Sequence, residues 1–368
     1  MPIQARASPL IQAVQAMPTS LPMRLLEAAP NAINKAHRRN GRPFDPTTPM
    51  PPPAGRRRSW VHYGVMIPDL PAPHRVFNVL SIVGTPGATV FDNDFAVTTT
   101  PQDTAYLLST TASMAPGSFR AYRIAEECDF AADSSRLRFG DDLLIEGQYP
   151  QWSLQRNADD LRVTLSIEAT RCVSHFADVL GLYTHWSLLS RYSGVIEQAG
   201  ESQSVSGLCT FEYAAGVGRY SVPGASFPAK TKIPINYFTY QVINLDARTQ
   251  LLLVCVLGPG DVPIQRAAYL RSLDDDGAVY TRNVRFTVDA FLPEAAETPD
   301  GYRMRLPHRF RWYAETDSGE SLLSLECTVQ GDFHYGLGAG YASWFLFDGR
   351  CQGRAVSGQG YLEFIDRR

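Results

Sequence analysis

Downstream of residue 60, apolar positions recur in short runs, often at every second residue, and clusters of turn-forming residues separate the runs. Runs at 76–83, 89–98, 105–111, 118–124, 143–145, 152–155, 161–169 and 188–196 are rich in Val, Ile, Thr, Tyr and Phe. A second series covers 235–244, 249–257, 266–273, 278–289, 302–306, 309–314, 322–329, 343–348 and 360–365. Short runs of this residue type bounded by turns predict β-strands. Asn157-Ala-Asp-Asp160, Asp274-Asp-Asp-Gly277 and Asp317-Ser-Gly319 are hairpin turn signals between them. Regular short strands at this spacing predict an all-β sandwich or barrel architecture.

The first 59 residues read differently. Leu10, Ile11, Val14 and Met17, then Leu21, Leu25 and Leu26, fall at helical spacing, and Pro18, Pro22 and Pro30 cut the pattern into short pieces. Residues 41–58 hold six prolines and predict an extended linker. This segment is a short helical and extended appendage.

The two strand series share a pattern. Leu165-Ser-Ile-Glu168 precedes Trp186 as Leu323-Ser-Leu-Glu326 precedes Trp344. Ser206-Gly207 precedes Glu212-Tyr213 as Ser357-Gly358 precedes Glu363-Phe364. An ordered series of matches points to internal duplication, with copies at 60–215 and 230–368 after the 1–59 appendage. The expected fold is all-β, two tandem antiparallel β-barrels.

Tandem barrels that each close with Ser-Gly-x-x-x-x-Glu-Tyr/Phe resemble the tandem lipocalin-like superfamily, which includes carotenoid 1,2-hydratases, AttH-like proteins and Diels–Alderases. Trp60-Val-His-Tyr-Gly64, Phe91-Asp-Asn-Asp94 and His185-Trp186-Ser187 are similar to an uncharacterised bacterial branch of it. The resemblance spans about residues 60–368 and implies an apolar ligand held in a barrel mouth or between barrels. Ser59-Trp-Val-His-Tyr63 stands where the hydratases carry a Trp-rich strand signature.

Charge and composition narrow the classes. The net charge of −3 over 34 basic and 37 acidic residues disfavours a nucleic-acid partner. The longest apolar run, Leu251–Leu257, is far short of the roughly 20 residues of a membrane-spanning helix. Nine basic residues (Arg6, Arg24, Lys35, Arg38, Arg39, Arg42, Arg56, Arg57, Arg58) against Glu27 and Asp45 make residues 1–60 strongly basic. That segment suits either peripheral contact with an anionic membrane or packing on the acidic body of its own chain. The six cysteines form no C-x-x-C pair, so no metal site is expected from them, and a reduced, cytoplasmic location is the expectation.

No G-x-S-x-G, Walker or H-E-x-x-H motif is present, and no cofactor is expected. Gly336-Leu-Gly-Ala-Gly340 reads as a tight barrel corner. Polar residues present in both copies, such as Glu168/Glu326 and Glu212/Glu363, read as structural. Polar residues in one copy are freer for chemistry. Asp92 and Asp94 would share one face of a strand and raise each other's pKa if desolvated, making a proton donor, or else lie in a solvated turn. Tyr183 and His185 share a face, giving a phenol–imidazole pair that is either a base in a cavity or a solvated strand end. Trp60, His62 and Tyr63 enter the first barrel as a lid or a plug. With Trp186, Phe238 and Tyr240 they are the candidate lining of an apolar pocket. Two functions fit: cofactor-free acid/base chemistry on a hydrophobic, terpenoid or lipid-like molecule (hydration, cyclisation or isomerisation), or non-catalytic carriage of such a ligand. Filled barrels with a purely structural role are the third reading.

Overall fold

The computed structural model describes residues 34–55, 58–220, 228 and 231–368. The amphipathic helices expected between residues 9 and 36 lie outside these, apart from a 3-10 turn at Lys35–Arg38 capped by Asn34. Arg6, Arg24, Arg56 and Arg57 of the basic segment lie outside them too. Arg39 pairs with Asp178 on the body of the protein at 3.5 Å.

The first sheet has eleven antiparallel strands. They are β1 (Trp60–Ile67), β2 (Phe77–Val83), β3 (Thr104–Thr111), β4 (Phe119–Arg123), β5 (Cys128–Phe130), β6 (Arg136–Phe139), β7 (Leu143–Gln148), β8 (Gln151–Ala158), β9 (Leu161–Val179), β10 (Tyr183–Gln198) and β11 (Glu201–Gly216). Their order is 4-3-2-1-11-10-9-8-7-6-5, so strand β11 inserts beside β1 and the sheet curls into a nearly closed barrel.

The second half repeats that path. Its strands are β12 (Tyr237–Asn244), β13 (Thr249–Leu257), β14 (Pro263–Ser272), β15 (Ala278–Tyr280), β16 (Arg285–Phe291), β17 (Ala296–Glu297), β18 (Arg303–Met304), β19 (Pro307–Glu315), β20 (Ser321–Val329), β21 (His334–Leu337), β22 (Gly340–Cys351) and β23 (Arg354–Asp366). The main order is 15-14-13-12-23-22-20-19-16, with β23 beside β12 as β11 is beside β1. The Ser-Gly-x-x-x-x-Glu motif lies in β11 and in β23, so this match marks equivalent strands.

The burial pattern along each strand follows its surroundings. In β9 the run Leu161, Val163, Leu165, Ile167 is buried and the residues between are exposed, because the outer face meets water. In β1, β2, β3 and β13 nearly every residue is buried. On β1 and β2 the odd-numbered residues Val61, Tyr63, Val65, Val79 and Val83 fill the first barrel. Met66 and Leu80, on the outer face, pack into the core of the second half. The two barrels therefore meet along the outer faces of their first and closing strands.

Residues 34–55 dock on the first barrel. The Asn40 side chain bonds both N–H and C=O of His175, at 2.8 and 3.0 Å. Phe44 is buried among the barrel's core residues, 5.0 Å from Trp186. The hydroxyls of Tyr63 and Tyr213 donate to the carbonyls of Met50 (3.0 Å) and Pro51 (2.9 Å). The segment expected to be an extended linker thus covers one end of the barrel.

Three sequence expectations need correcting. Residues 89–98 are not a strand; they form turns and a 3-10 turn at Asp94–Ala96. Gly84 and Gly87 at φ of +74° and +77° turn the chain, and the Asp92 carboxylate accepts the N–H groups of Gly87 (3.0 Å) and Ala88 (3.2 Å). A side chain that bonds nearby backbone in this way competes with a strand ladder. Residues 278–289 are split between β15 and β16 by a turn with Asn283 at φ +50°. The Trp186/Trp344 match is out of register: Trp186 lies one residue before Ser187, the cross-strand partner of Glu212, whereas Trp344 lies two residues after Ala342, the partner of Glu363.

Candidate functional site

Ala214 of β11 stands between two histidines in register, His62 of β1 on one side and His185 of β10 on the other. Glu212 lies two residues before Ala214, so its side chain leaves the same face. Three adjacent strands thereby bring His62, His185 and Glu212 together. His185 Nε2 is 3.6 Å and His62 Nε2 4.0 Å from Glu212 Oε2. The methyl group of Ala214 leaves room for the imidazoles, whose centroids are 6.0 Å apart.

Each of the three is held from behind. His62 Nδ1 donates to the carbonyl of Ser81 at 2.8 Å, which points Nε2 at the cavity. His185 Nδ1 is 3.0 Å from the hydroxyl of Tyr183, and the Phe176 ring packs on His185 at 4.6 Å. The Tyr240 hydroxyl, from the second barrel, donates to Glu212 Oε1 at 2.6 Å.

These groups open into a cavity of about 140 Å³ between the two barrels. Leu80, Ile82, Phe91, Phe238, Val254 and Val256 give it an apolar wall. Trp60 lines it too, stacked on Tyr183 at 5.7 Å. Glu363 enters from the second barrel and accepts from the Tyr361 hydroxyl at 3.1 Å. The matched glutamates of the two halves, Glu212 and Glu363, thus face one space.

Their environments pull them apart. Burial opposes charge on Glu212, but contact with His185, the charges of His185 and His62, and the Tyr240 hydroxyl together hold its carboxyl below the ordinary value. Burial first and the Glu212 charge second push the Glu363 carboxyl well above its ordinary value. Burial, with His185 beside it, pushes the His62 imidazole down to about 4. Such a split between two carboxyls in one site separates a proton donor from a charged partner. His62, His185 and Glu212 also present three ligand atoms within 4.8 Å of one another, the one such group of His, Cys, Asp and Glu among the described residues.

The structure brings together six of the residues singled out from the sequence. Trp60, His62, Tyr183, His185, Phe238 and Tyr240 all line the cavity. Tyr63 and Trp186 point the other way, into the first barrel, where Trp186 packs on Phe44 and Tyr213. Asp92 and Asp94 share no strand face and do not line the cavity. Both bind Lys232, at 2.9 and 2.6 Å. Burial pushes the Asp92 carboxyl up to about 6 against the pull of Lys232. This clasp ties the 87–97 loop to the segment before β12, where Ile233 also bonds Gly87 and Thr89. The loop's contribution to the cavity is Phe91, 5.5 Å from Phe238.

Glu212 and Glu363 were the residues missed. Their presence in both copies read as a structural signature. Equivalent strands of the two barrels pack on each other, so matched positions meet at the junction. The signal was available in the motif itself, an acid in each closing strand among apolar neighbours (Cys209-Thr-Phe-Glu-Tyr213 and Tyr361-Leu-Glu-Phe-Ile365).

A family model described as "Family of unknown function (DUF6670)" matches residues 80–368. No curated protein matches the chain in sequence. Among solved structures, an AttH-type protein from Nitrosomonas europaea is similar at a TM-score of 0.60 and 13% identity, covering 88% of this chain and 99% of that one. Kievitone hydratase from Nectria haematococca is similar at a TM-score of 0.53 and 13% identity, covering 88% and 97%. At such identity the likeness is one of fold, and it bears out the tandem lipocalin-like architecture.

Proposed function

We propose that this chain, which belongs to the DUF6670 family of unknown function, is a lipocalin-like enzyme that admits a hydrophobic small molecule between its barrels and acts on it by acid/base chemistry. The reaction type is hydration, cyclisation or isomerisation. One observation carries this reading: Glu212, His62, His185, Tyr183, Tyr240 and Glu363 converge on a single cavity whose wall, Gln265 apart, is otherwise apolar. A carrier needs the wall and few polar groups; chemistry needs several within reach of one ligand atom. The volume of about 140 Å³ suits a ring-sized apolar group, since an engineered cavity of about 150 Å³ takes benzene. Glu363, contributed by the second barrel, is the proton donor, and the Glu212 cluster is the receiving and orienting side. The similarity in fold to kievitone hydratase supports an enzyme on this scaffold.

Native mass spectrometry of the freshly purified chain tests the ligand. One equivalent of an apolar small molecule is expected, and Val256→Trp, which fills the wall, should lose it. With that molecule or its class as substrate, Glu363→Gln should bind as the wild type does and turn over about 10²–10⁴-fold more slowly. Unchanged turnover removes the acid/base reading and leaves the carrier. No captured molecule, with Val256→Trp and wild type indistinguishable, removes both.

A further inference from the structure

We infer that His62, His185 and Glu212 form a binding site for one divalent first-row transition-metal ion. This goes beyond the proposed acid/base reading, stands whether or not the cavity turns a ligand over, and departs from the expectation of no metal.

The ligand set is laid down by strand register. Ala214 separates the two histidines across β1, β11 and β10, and Glu212 follows on the same face. The three ligand atoms are His62 Nε2, His185 Nε2 and Glu212 Oε2, with separations of 4.0 Å and 3.6 Å from the carboxylate oxygen to the two nitrogens. An ion roughly 2.0–2.2 Å from each would need its ligands about 3–3.5 Å apart. All three atoms lie within 4.8 Å of one another, so side-chain rotations that draw them inward by up to about an ångström close that gap. Ala214, with the smallest side chain after glycine, leaves the space between the rings open to the ion.

Every ligand has its remaining polar atom occupied from outside. The Ser81 carbonyl takes the His62 Nδ1–H, Tyr183 meets His185 Nδ1, and Tyr240 holds Glu212 Oε1. A histidine whose outer nitrogen is bonded to a carbonyl presents a lone pair at the inner one, and such outer partners are the common support of metal-bound imidazoles. His185 Nε2 is buried and has no hydrogen-bond partner. The Glu212 carboxylate is buried at 2% exposure, where an ion would offset its charge. The three donors line the cavity, so the remaining positions on the ion face that space and are open to water or a ligand oxygen. Two imidazoles, one carboxylate and open positions are the donor pattern of catalytic zinc and of non-haem iron(II). Neither the C-x-x-C rule nor a helical H-E-x-x-H pattern can find this site, because its ligands come from three strands about 120 and 30 residues apart in the chain.

The test uses the full chain stripped with a chelator and returned to metal-free buffer. Titration with Co²⁺, followed by its visible absorption, and with Zn²⁺, followed by calorimetry, should each show one equivalent per chain. The melting temperature should rise with free Zn²⁺ concentration. Glu212→Gln and His185→Ala should abolish the one-equivalent phase. Tyr183→Phe, which keeps all three ligands, should weaken it about 10–100-fold. Replacing the exposed His37 and His308 by Ala should leave it unchanged. Absence of a one-equivalent phase in the folded wild type overturns the inference. So does a phase that persists in Glu212→Gln and His185→Ala chains, or one that disappears with His37 and His308.

Discussion

Lys232 shows how a single side chain settles the state of its neighbours. It is 6% exposed and meets the carboxylates of both Asp92 and Asp94. Lys232→Met should cost roughly 3–5 kcal/mol, because Asp92 would keep a buried charge without its partner. The pH dependence has a definite sign. The folded Asp92 value, about 6 in the wild type, lies above the ordinary one, so charged Asp92 opposes folding above that value and the opposition fades as the pH falls through it. Without the lysine the folded value rises further. Urea unfolding at pH 8 and pH 5 should therefore show the larger loss at pH 8; an equal loss at both would contradict the pairing. At this scale the sequence was legible only where contacts are local. Tyr183 and His185 are two residues apart, and strand periodicity alone places them on one face. Asp92 and Asp94 are equally close, but the Asp92 carboxylate bonds the backbone of Gly87 and Ala88 and breaks the period. Glu212 gains its meaning from His62, 150 residues away, and no local pattern carries that.

Strand β9 and its neighbours were readable because one face meets water and the sequence alternates accordingly. Strands β1 and β11 were harder, since burial on both faces of their paired halves erases the alternation. Two glycines fix how closely the long strands approach. A Cβ on Gly194 of β10 would collide with the backbone of Thr164 and Leu165 in β9, and one on Gly349 of β22 would collide with Ser324 and Leu325 in β20. The two sites are counterparts, which aligns Leu165 with Leu325 and shows the Leu-Ser-x-Glu match to be two residues out of step. Both close approaches are of backbone on backbone, so neither can be relieved by a side-chain rotation. Gly194→Ala and Gly349→Ala should each destabilise by about 1–3 kcal/mol in denaturant melts. Gly353→Ala, at a hairpin tip with nothing within 4 Å, tests the contrast. Its only strain is a φ of +75°, so its loss should be smaller, and an equal loss would refute the steric account.

Across the whole molecule, the doubling was visible in the two strand series and in the paired Ser-Gly-x-x-x-x-Glu motifs. The resemblance left two places for a cavity, a barrel mouth or the space between barrels, and the doubling by itself did not choose between them. The barrels pack outer face to outer face, so the cavity belongs to neither barrel alone, and the first barrel's inside is occupied by its own side chains. Trp152 stacks on Phe211 there with centroids 4.0 Å apart, and Phe44 reaches in from the segment before β1. That segment works as a cork. With Phe44 seated and the Met50 and Pro51 carbonyls tethered, that end of the first barrel is stoppered, and the open space lies at the seam between the halves. Pulling the cork should therefore create a rival berth: a chain begun at residue 56 should take up an environment-sensitive apolar dye that the full chain refuses, while Phe44→Ala alone should admit a smaller amount.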